Sequence, residues 1–119
     1  MVKSLLITFY FPPSIGGIED YLRNVCAGLQ DKIVVLAPKV KNSEEFDQKQ
    51  NYKIYRYNFF YSLIARYPKL YKLFIFPILF LFVIHGWKIV RKENIDIIQC
   101  GSADLSLSVW CLSKLTQKP

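Results

Sequence analysis

The chain has 119 residues, 52% of them hydrophobic and 21% charged, with a formal net charge of +7. That length allows one domain at most, small for an enzyme that must enclose two substrates, and the apolar composition excludes a disordered chain. Between Asp47 and Glu93 there is no acidic residue, while Lys49, Lys53, Arg56, Arg66, Lys69, Lys72, Lys88, Arg91 and Lys92 all fall there, a bias that implies an anionic partner.

Lys3 to Phe9 is a short β-rich apolar run ended by prolines and glycines, as a buried central strand of a parallel sheet reads. The run stops at Pro12-Pro13 with no small-residue cleavage site, so it is not read as a secretory signal, and a cytoplasmic chain is expected. After the loop Tyr10 to Gly17, apolar residues at Ile18, Tyr21, Leu22, Val25, Cys26 and Leu29 follow one helix face. Glu19 and Asp20 sit in its first turn, where the helix dipole favours negative charge. Ile33 to Ala37 is a second buried strand, ended by Pro38. Strand, helix, strand in this span is a βαβ unit, hence a parallel sheet.

Lys39 to Gln50 reads as a solvated loop, and Tyr52 to Tyr57 as a third, more exposed strand near a sheet edge. A basic, aromatic connector spans Asn58 to Lys72. Leu73 to Val90 is the most apolar stretch; Pro77 suits the first turn of a helix continuing to about Glu93, with Lys88, Arg91 and Lys92 at its C-terminus. Ile95 to Cys100 is a fourth strand, Gly101-Ser102 a turn, and Ala103 to Leu115 a last helix. The expected order is β-α-β-β-α-β-α. Cys26, Cys100 and Cys111 have apolar neighbours and no C-x-x-C spacing, which predicts buried thiols in a reducing compartment.

The loop Phe11-Pro-Pro-Ser-Ile-Gly-Gly-Ile-Glu19 joins the first strand to the first helix. Adjacent Gly16 and Gly17 let backbone amides face outward with no Cβ in the way, and the helix N-terminus adds partial positive charge, so a phosphate or sugar can approach. A tight turn needing positive φ has the same composition, and local physics leaves both readings open. The spacing matches neither the dinucleotide fingerprint nor a P-loop.

These motifs resemble the start of the family 4 glycosyltransferases with the GT-B fold: an aromatic-Pro-Pro loop, Gly16-Gly17-Ile18-Glu19 opening a helix that ends in Gly28-Leu29, then Val34-Val35-Leu36-Ala37-Pro38. The basic helix running into Ile95-Asp96-Ile97-Ile98 resembles the fourth strand of that family. The resemblance implies an α/β fold, a partial Rossmann-like parallel sheet with helices on both faces, forming a single incomplete N-terminal, acceptor-side domain over residues 1–119. It implies a retaining, hexosyltransferase-like enzyme that moves a sugar from a nucleotide-diphosphate donor to an acceptor hydroxyl. No metal and no cofactor beyond the donor substrate are implied, and leaving-group charge is met by amides and cationic side chains.

In that family the glycine loop faces the donor's diphosphate and sugar, which assigns substrate and phosphate binding to Gly16 and Gly17, with Ser14 and Glu19 as members of the same motif. Glu19 reads equally as a first-turn acid that stabilises the helix. Gly101 and Ser102, at the end of the fourth strand, complete the candidate site. The family often has a His there; Gln99-Cys100-Gly101-Ser102-Ala103 instead resembles the lipid-linked acceptor branch, such as the phosphatidylinositol mannosyltransferases, so a lipid-linked or polysaccharide acceptor is expected. The second Rossmann-like domain, with the paired glutamates that hold the nucleotide sugar, is expected beyond Pro119, so the fragment alone should be inactive and its catalytic residues are unassigned.

His85 belongs to no recognisable constellation. The uncharged part of the apolar helix, Leu73 to Trp87, is shorter than the roughly 20 residues needed to span a bilayer. It is expected to be buried against the sheet; the alternative is a helix at an anionic membrane surface, with Tyr67, Lys69, Tyr71, Lys72 and Trp87 at head-group level. Basic and aromatic residues between Tyr52 and Tyr71 also suit single-stranded nucleic acid, but no RNA-binding signature accompanies them and no nucleic-acid partner is expected. The rival to the transferase is a membrane-surface binding or accessory module without catalytic activity.

Overall fold

The computed structural model describes residues 2–9, 11–12, 16–40, 42–57, 69, 71–101 and 105–119, and the side chains of 71–75 are outside that description. Strand β1 is Ser4–Ile7, helix α1 Gly17–Leu29, strand β2 Ile33–Pro38, helix α2 Ser43–Gln48 and strand β3 Lys53–Tyr57. Helix α3 is Tyr71–Glu93, strand β4 Ile97–Cys100 and helix α4 Ser106–Thr116.

All four strands are parallel, in the order β3-β2-β1-β4. Leu6 sits opposite Val35 on one side and Gln99 on the other. β1 and β2 are apolar at nearly every position because both faces of the sheet are covered. Leu5, Ile7, Val34 and Leu36 pack under Ile78, Phe82 and Ile89 of α3 and Leu112 of α4. On the other face Leu6, Val35 and Ala37 pack under Leu22 and Cys26 of α1. Each fully buried side chain of this kind is worth about 1.5–3 kcal/mol. The chain is thus an α/β fold, a partial Rossmann-like sheet with helices on both faces.

Helices α3 and α4 end alike. Asn94 and Gln117 adopt the left-handed backbone conformation, and the amides beyond them, Ile95 N–H and Lys118 N–H, donate back to Val90 and Ser113 carbonyls. This satisfies carbonyls that the last turn would otherwise leave open. Below the sheet, at the N-terminal ends of the strands, Glu93 is held by the Tyr55 hydroxyl at 2.5 Å, Lys53 Nζ at 2.9 Å and Lys3 Nζ at 3.0 Å. Tyr55 donates a hydrogen bond to a carboxylate held at a pKa of about 2 by that bond and by the two lysines, against the opposing effect of burial.

Four expectations are corrected. The polar stretch 39–50 contains a helix, α2, because Phe46 packs edge-on to Phe11 and Asp47 pairs with Arg56. Pro77 lies inside α3 rather than in its first turn; its ring is exposed, and burial of Ile78, Leu79 and Phe82 outweighs the roughly 3 kcal/mol cost of an interior proline. Only Cys26 is a fully buried thiol, pushed up to about 12 by desolvation, whereas Cys111 is half-buried and Cys100 exposed. On α1, Ile18 and Tyr21 are exposed, because among the described residues no helix lies over β4 on that face. The last helix begins at Ser106, and the expected start at Ala103 and the connector 58–68 lie outside the described residues.

Candidate functional site

Strand order reverses between β1 and β4: the chain moves outward through β2 and β3, then returns through α3 to lie on the far side of β1. In open parallel sheets the crevice outside the carboxyl ends of strands at such a reversal is where ligands bind. The loop leaving β1 enters α1 at Gly16-Gly17, and Gly101 directly follows β4. Two glycine positions from distant parts of the sequence therefore meet at the same crevice.

Gly17, Ile18 and Tyr21 of α1 face Gln99 and Cys100 of β4 and the following Gly101 across a groove of about 490 Å3. Gly17 has open space where a Cβ would stand, with nothing among the described residues within 4 Å. Gly16 differs: a Cβ there meets the carboxylate of Glu19, which is 7% exposed and lies against the Gly16 backbone. No glycine lies in the left-handed region, and Gly16 itself is extended at φ 165. Neither glycine is required by a left-handed turn. Gly16 is needed for the close approach of Glu19, an acid placed where the first-turn amides of α1 favour negative charge.

Gly101 is also a close-approach position. Its N–H donates to the Ile7 carbonyl at 2.7 Å, extending the β1–β4 ladder, and a Cβ there stands 2.8 Å from Thr8 Cβ and 3.1 Å from Leu6 Cδ1. Ser14 and Ser102, the remaining sequence-derived candidates, lie outside the described residues. The described wall of the groove carries amide, phenol and thiol groups but no Asp, Glu, His, Lys or Arg. The rest of that wall is apolar, from Leu6, Ile18, Leu22 and Val25.

One determinant was not legible beforehand. Arg56, on β3, donates through Nε and Nη2 to both oxygens of Asp47, at 3.2 and 3.1 Å, and through Nη1 to the Pro38 carbonyl at 3.0 Å. Its Nη2 also donates to the Pro12 carbonyl, and the guanidinium lies 5.5 Å from the Phe11 ring centroid. The side chain is buried, and it ties the ends of β2 and β3 to the loop that leads into Gly16. Strand alternation offered a signal: Ile54 and Arg56 share the face packed under α1, and an arginine there needs an acid. His85 of α3 stacks on Tyr57, ring centroids 3.8 Å apart at 11°, and its pKa is lowered by burial and by nearby Lys88. It lies on the face opposite the groove.

No family model matches the chain. It is 36% identical over 58 residues, 46% of this chain, to the GDP-mannose-dependent monoacylated alpha-(1-6)-phosphatidylinositol monomannoside mannosyltransferase of Corynebacterium glutamicum. The match spans 15% of the length of that relative. Over this stretch the chain is glycosyltransferase-like, and its Rossmann-like sheet agrees with that likeness.

Proposed function

We propose that residues 1–119 form part of the acceptor-side domain of a GT-B glycosyltransferase of the family 4 kind. The intact enzyme transfers a hexose from a nucleotide-diphosphate donor to an acceptor hydroxyl, with retention of configuration. The observation that carries this reading is the convergence of Gly17 and Gly101 on one crevice at the β1/β4 reversal, in a chain that shares sequence with a mannosyltransferase. From that relative's name, GDP-mannose as donor and a phosphatidylinositol-linked mannoside as acceptor are the first pair to try.

In this reading the groove supplies one wall of an interdomain cleft. Open space at Gly17 lets a donor or acceptor oxygen reach the first amides of α1, whose partial positive charge stabilises a departing diphosphate. Glu19 already offsets part of that charge, so Glu19 supports the helix end and Gly17 meets the ligand. The described wall carries no carboxylate, imidazole or cationic side chain, so this portion is not expected to turn over by itself.

The test is transfer of labelled mannose from GDP-mannose to a phosphatidylinositol mannoside acceptor. The 119-residue chain is compared with the same chain joined to the donor-binding domain of a homologous mannosyltransferase. Transfer only by the joined protein is the expected result. Turnover by the 119-residue chain alone refutes its assignment as one wall of a cleft. A folded joined protein that transfers none of a panel of nucleotide sugars to lipid or glycan acceptors refutes the transferase reading.

A further inference from the structure

Helix α3 buries Ile78, Leu79, Phe82, Ile89 and Val90. The opposite side carries Phe76, Phe80, Trp87 and Arg91, spaced i, i+4, i+11 and i+15, which places them on one stripe. Helix α4 buries Ser108 and Leu112 and exposes Leu107, Trp110 and Lys114 at i, i+3 and i+7, with Leu115 beside them. The two helices lie side by side: the Ser108 hydroxyl donates to the Leu79 carbonyl at 2.9 Å, and a Cβ on Gly86 would stand 2.6 Å from Leu112 Cδ2. Their outward stripes therefore form one continuous face. Phe76 is 70% exposed, Phe80 64% and Trp110 59%. Aromatic side chains of that size are costly to leave in water.

The exposed charges that the two helices carry have a single sign among the described side chains. The exposed charged residues of α3 and α4 are Lys88, Arg91, Lys92 and Lys114 among the described side chains. The acid of α3, Glu93, is buried and bound by Lys3 and Lys53. Arg91 lies 5.0 Å over the Trp87 ring, so a cation and an indole are presented together. Asp96, at the rim, accepts the Lys3 backbone N–H at 2.9 Å. Among the described residues no helix is long and apolar enough to cross a membrane.

We propose that the outer face of α3 and α4 docks on the surface of an anionic lipid bilayer, inserting Phe76, Phe80, Trp87, Leu107 and Trp110 at head-group level while Lys88, Arg91 and Lys114 contact lipid phosphates. Exposed aromatics with interspersed cations, and one acid, Asp96, at the rim, match the chemistry of the interface: the ring bodies enter the acyl boundary and the charges meet the negative leaflet. A protein partner would have to bring an acidic, apolar surface to the same place; a second copy of this face would set cation against cation. The inference does not depend on the transferase reading.

Both tryptophans of the chain lie on this face, so intrinsic fluorescence reports on it directly. The 119-residue chain is mixed with vesicles of neutral phosphatidylcholine or of phosphatidylcholine with phosphatidylglycerol. With anionic vesicles at low salt, a blue shift and quenching by bromine-labelled lipid are expected, together with co-sedimentation that falls at least tenfold in 0.5 M salt. Phe76→Ser with Phe80→Ser, and separately Lys88→Glu with Arg91→Glu, should each weaken partitioning at least tenfold. Their denaturant midpoints should hold, since these side chains are exposed. Equal partitioning to neutral and anionic vesicles, or tryptophans that stay unquenched, overturns the proposal. So does concentration-dependent dimerisation that shields the tryptophans without lipid, or retention through both high salt and alkaline wash, which marks an integral protein.

Discussion

The carboxylate of Glu19 fills the place where a Cβ on Gly16 would stand, whereas Gly17, one residue further on, faces open space. Two adjacent glycines that look equivalent in sequence thus have different jobs. Gly16→Ala should lower stability by about 1–3 kcal/mol by displacing a buried acid. Gly17→Ala should leave the fold intact, or stabilise it by up to about 1 kcal/mol, because its backbone is not left-handed and alanine is the better helix former. In the chain joined to a donor-binding domain, kcat/KM per folded molecule should fall at least tenfold for Gly17→Ala. Denaturant midpoints measured beside kcat/KM check both; a fully active Gly17→Ala protein removes Gly17 from the ligand site.

Arg56→Met should cost about 3–5 kcal/mol, since it leaves Asp47 without its partner and the Pro12 and Pro38 carbonyls without a donor. Arg56→Lys should recover little of that loss, because an ammonium cannot reproduce the forked contact with both Asp47 oxygens. Urea unfolding of the two variants gives the comparison. Equal stability of Arg56→Lys and the parent would show that charge alone suffices.

Acid should unfold the protein partly through Glu93. Its folded pKa is depressed from 4.5 to about 2, so its stabilisation is complete above the unfolded value and is lost as pH falls from about 4.5 towards 2. Integrated, this contributes on the order of 3 kcal/mol at neutral pH. Glu93→Gln should flatten the slope of stability against pH in that window and be less stable above pH 5. Unfolding free energies between pH 2 and 6 for both proteins decide it.

Gly86→Ala should destabilise by about 1–3 kcal/mol through contact with Leu112 Cδ2 at the α3–α4 crossing. Combined with Leu112→Val, the loss should be smaller than the sum of the two single changes, because the shorter side chain vacates the contested space. Additive losses in a double-mutant cycle would place the strain elsewhere.

Thiol labelling should separate the cysteines. Cys100 is exposed and should react with a maleimide first, Cys111 more slowly, and Cys26 only after unfolding, since burial raises its pKa to about 12 and blocks access. Mass spectrometry of partially labelled native protein reads the order.

The continuity of the apolar runs and the strand-helix-strand order determined the parallel α/β sheet by themselves. Strands such as Leu5 to Ile7 and Ile33 to Ala37 are apolar at successive positions, which only a sheet covered on both faces requires. The exposed third strand followed in the same way, from its partial alternation, and β3 is an edge strand. The glycine loop was visible as a feature, but not what each glycine does, because that depends on where Glu19 turns and on what stands opposite Gly17. Arg56 and Asp47, nine residues apart, were invisible as a pair: α2 is shorter than two turns, so it carries no periodicity, and the pair exists only once β3 lies beside β2. The apolar stripe of α1 reads as buried over its whole length; its N-terminal half is exposed because burial needs a facing element, and on that side of β4 there is none among the described residues. Sequence patterns report how apolar a face is, whereas which face meets which neighbour is decided by strand order, and here the reversal at β1 and β4 opened the groove.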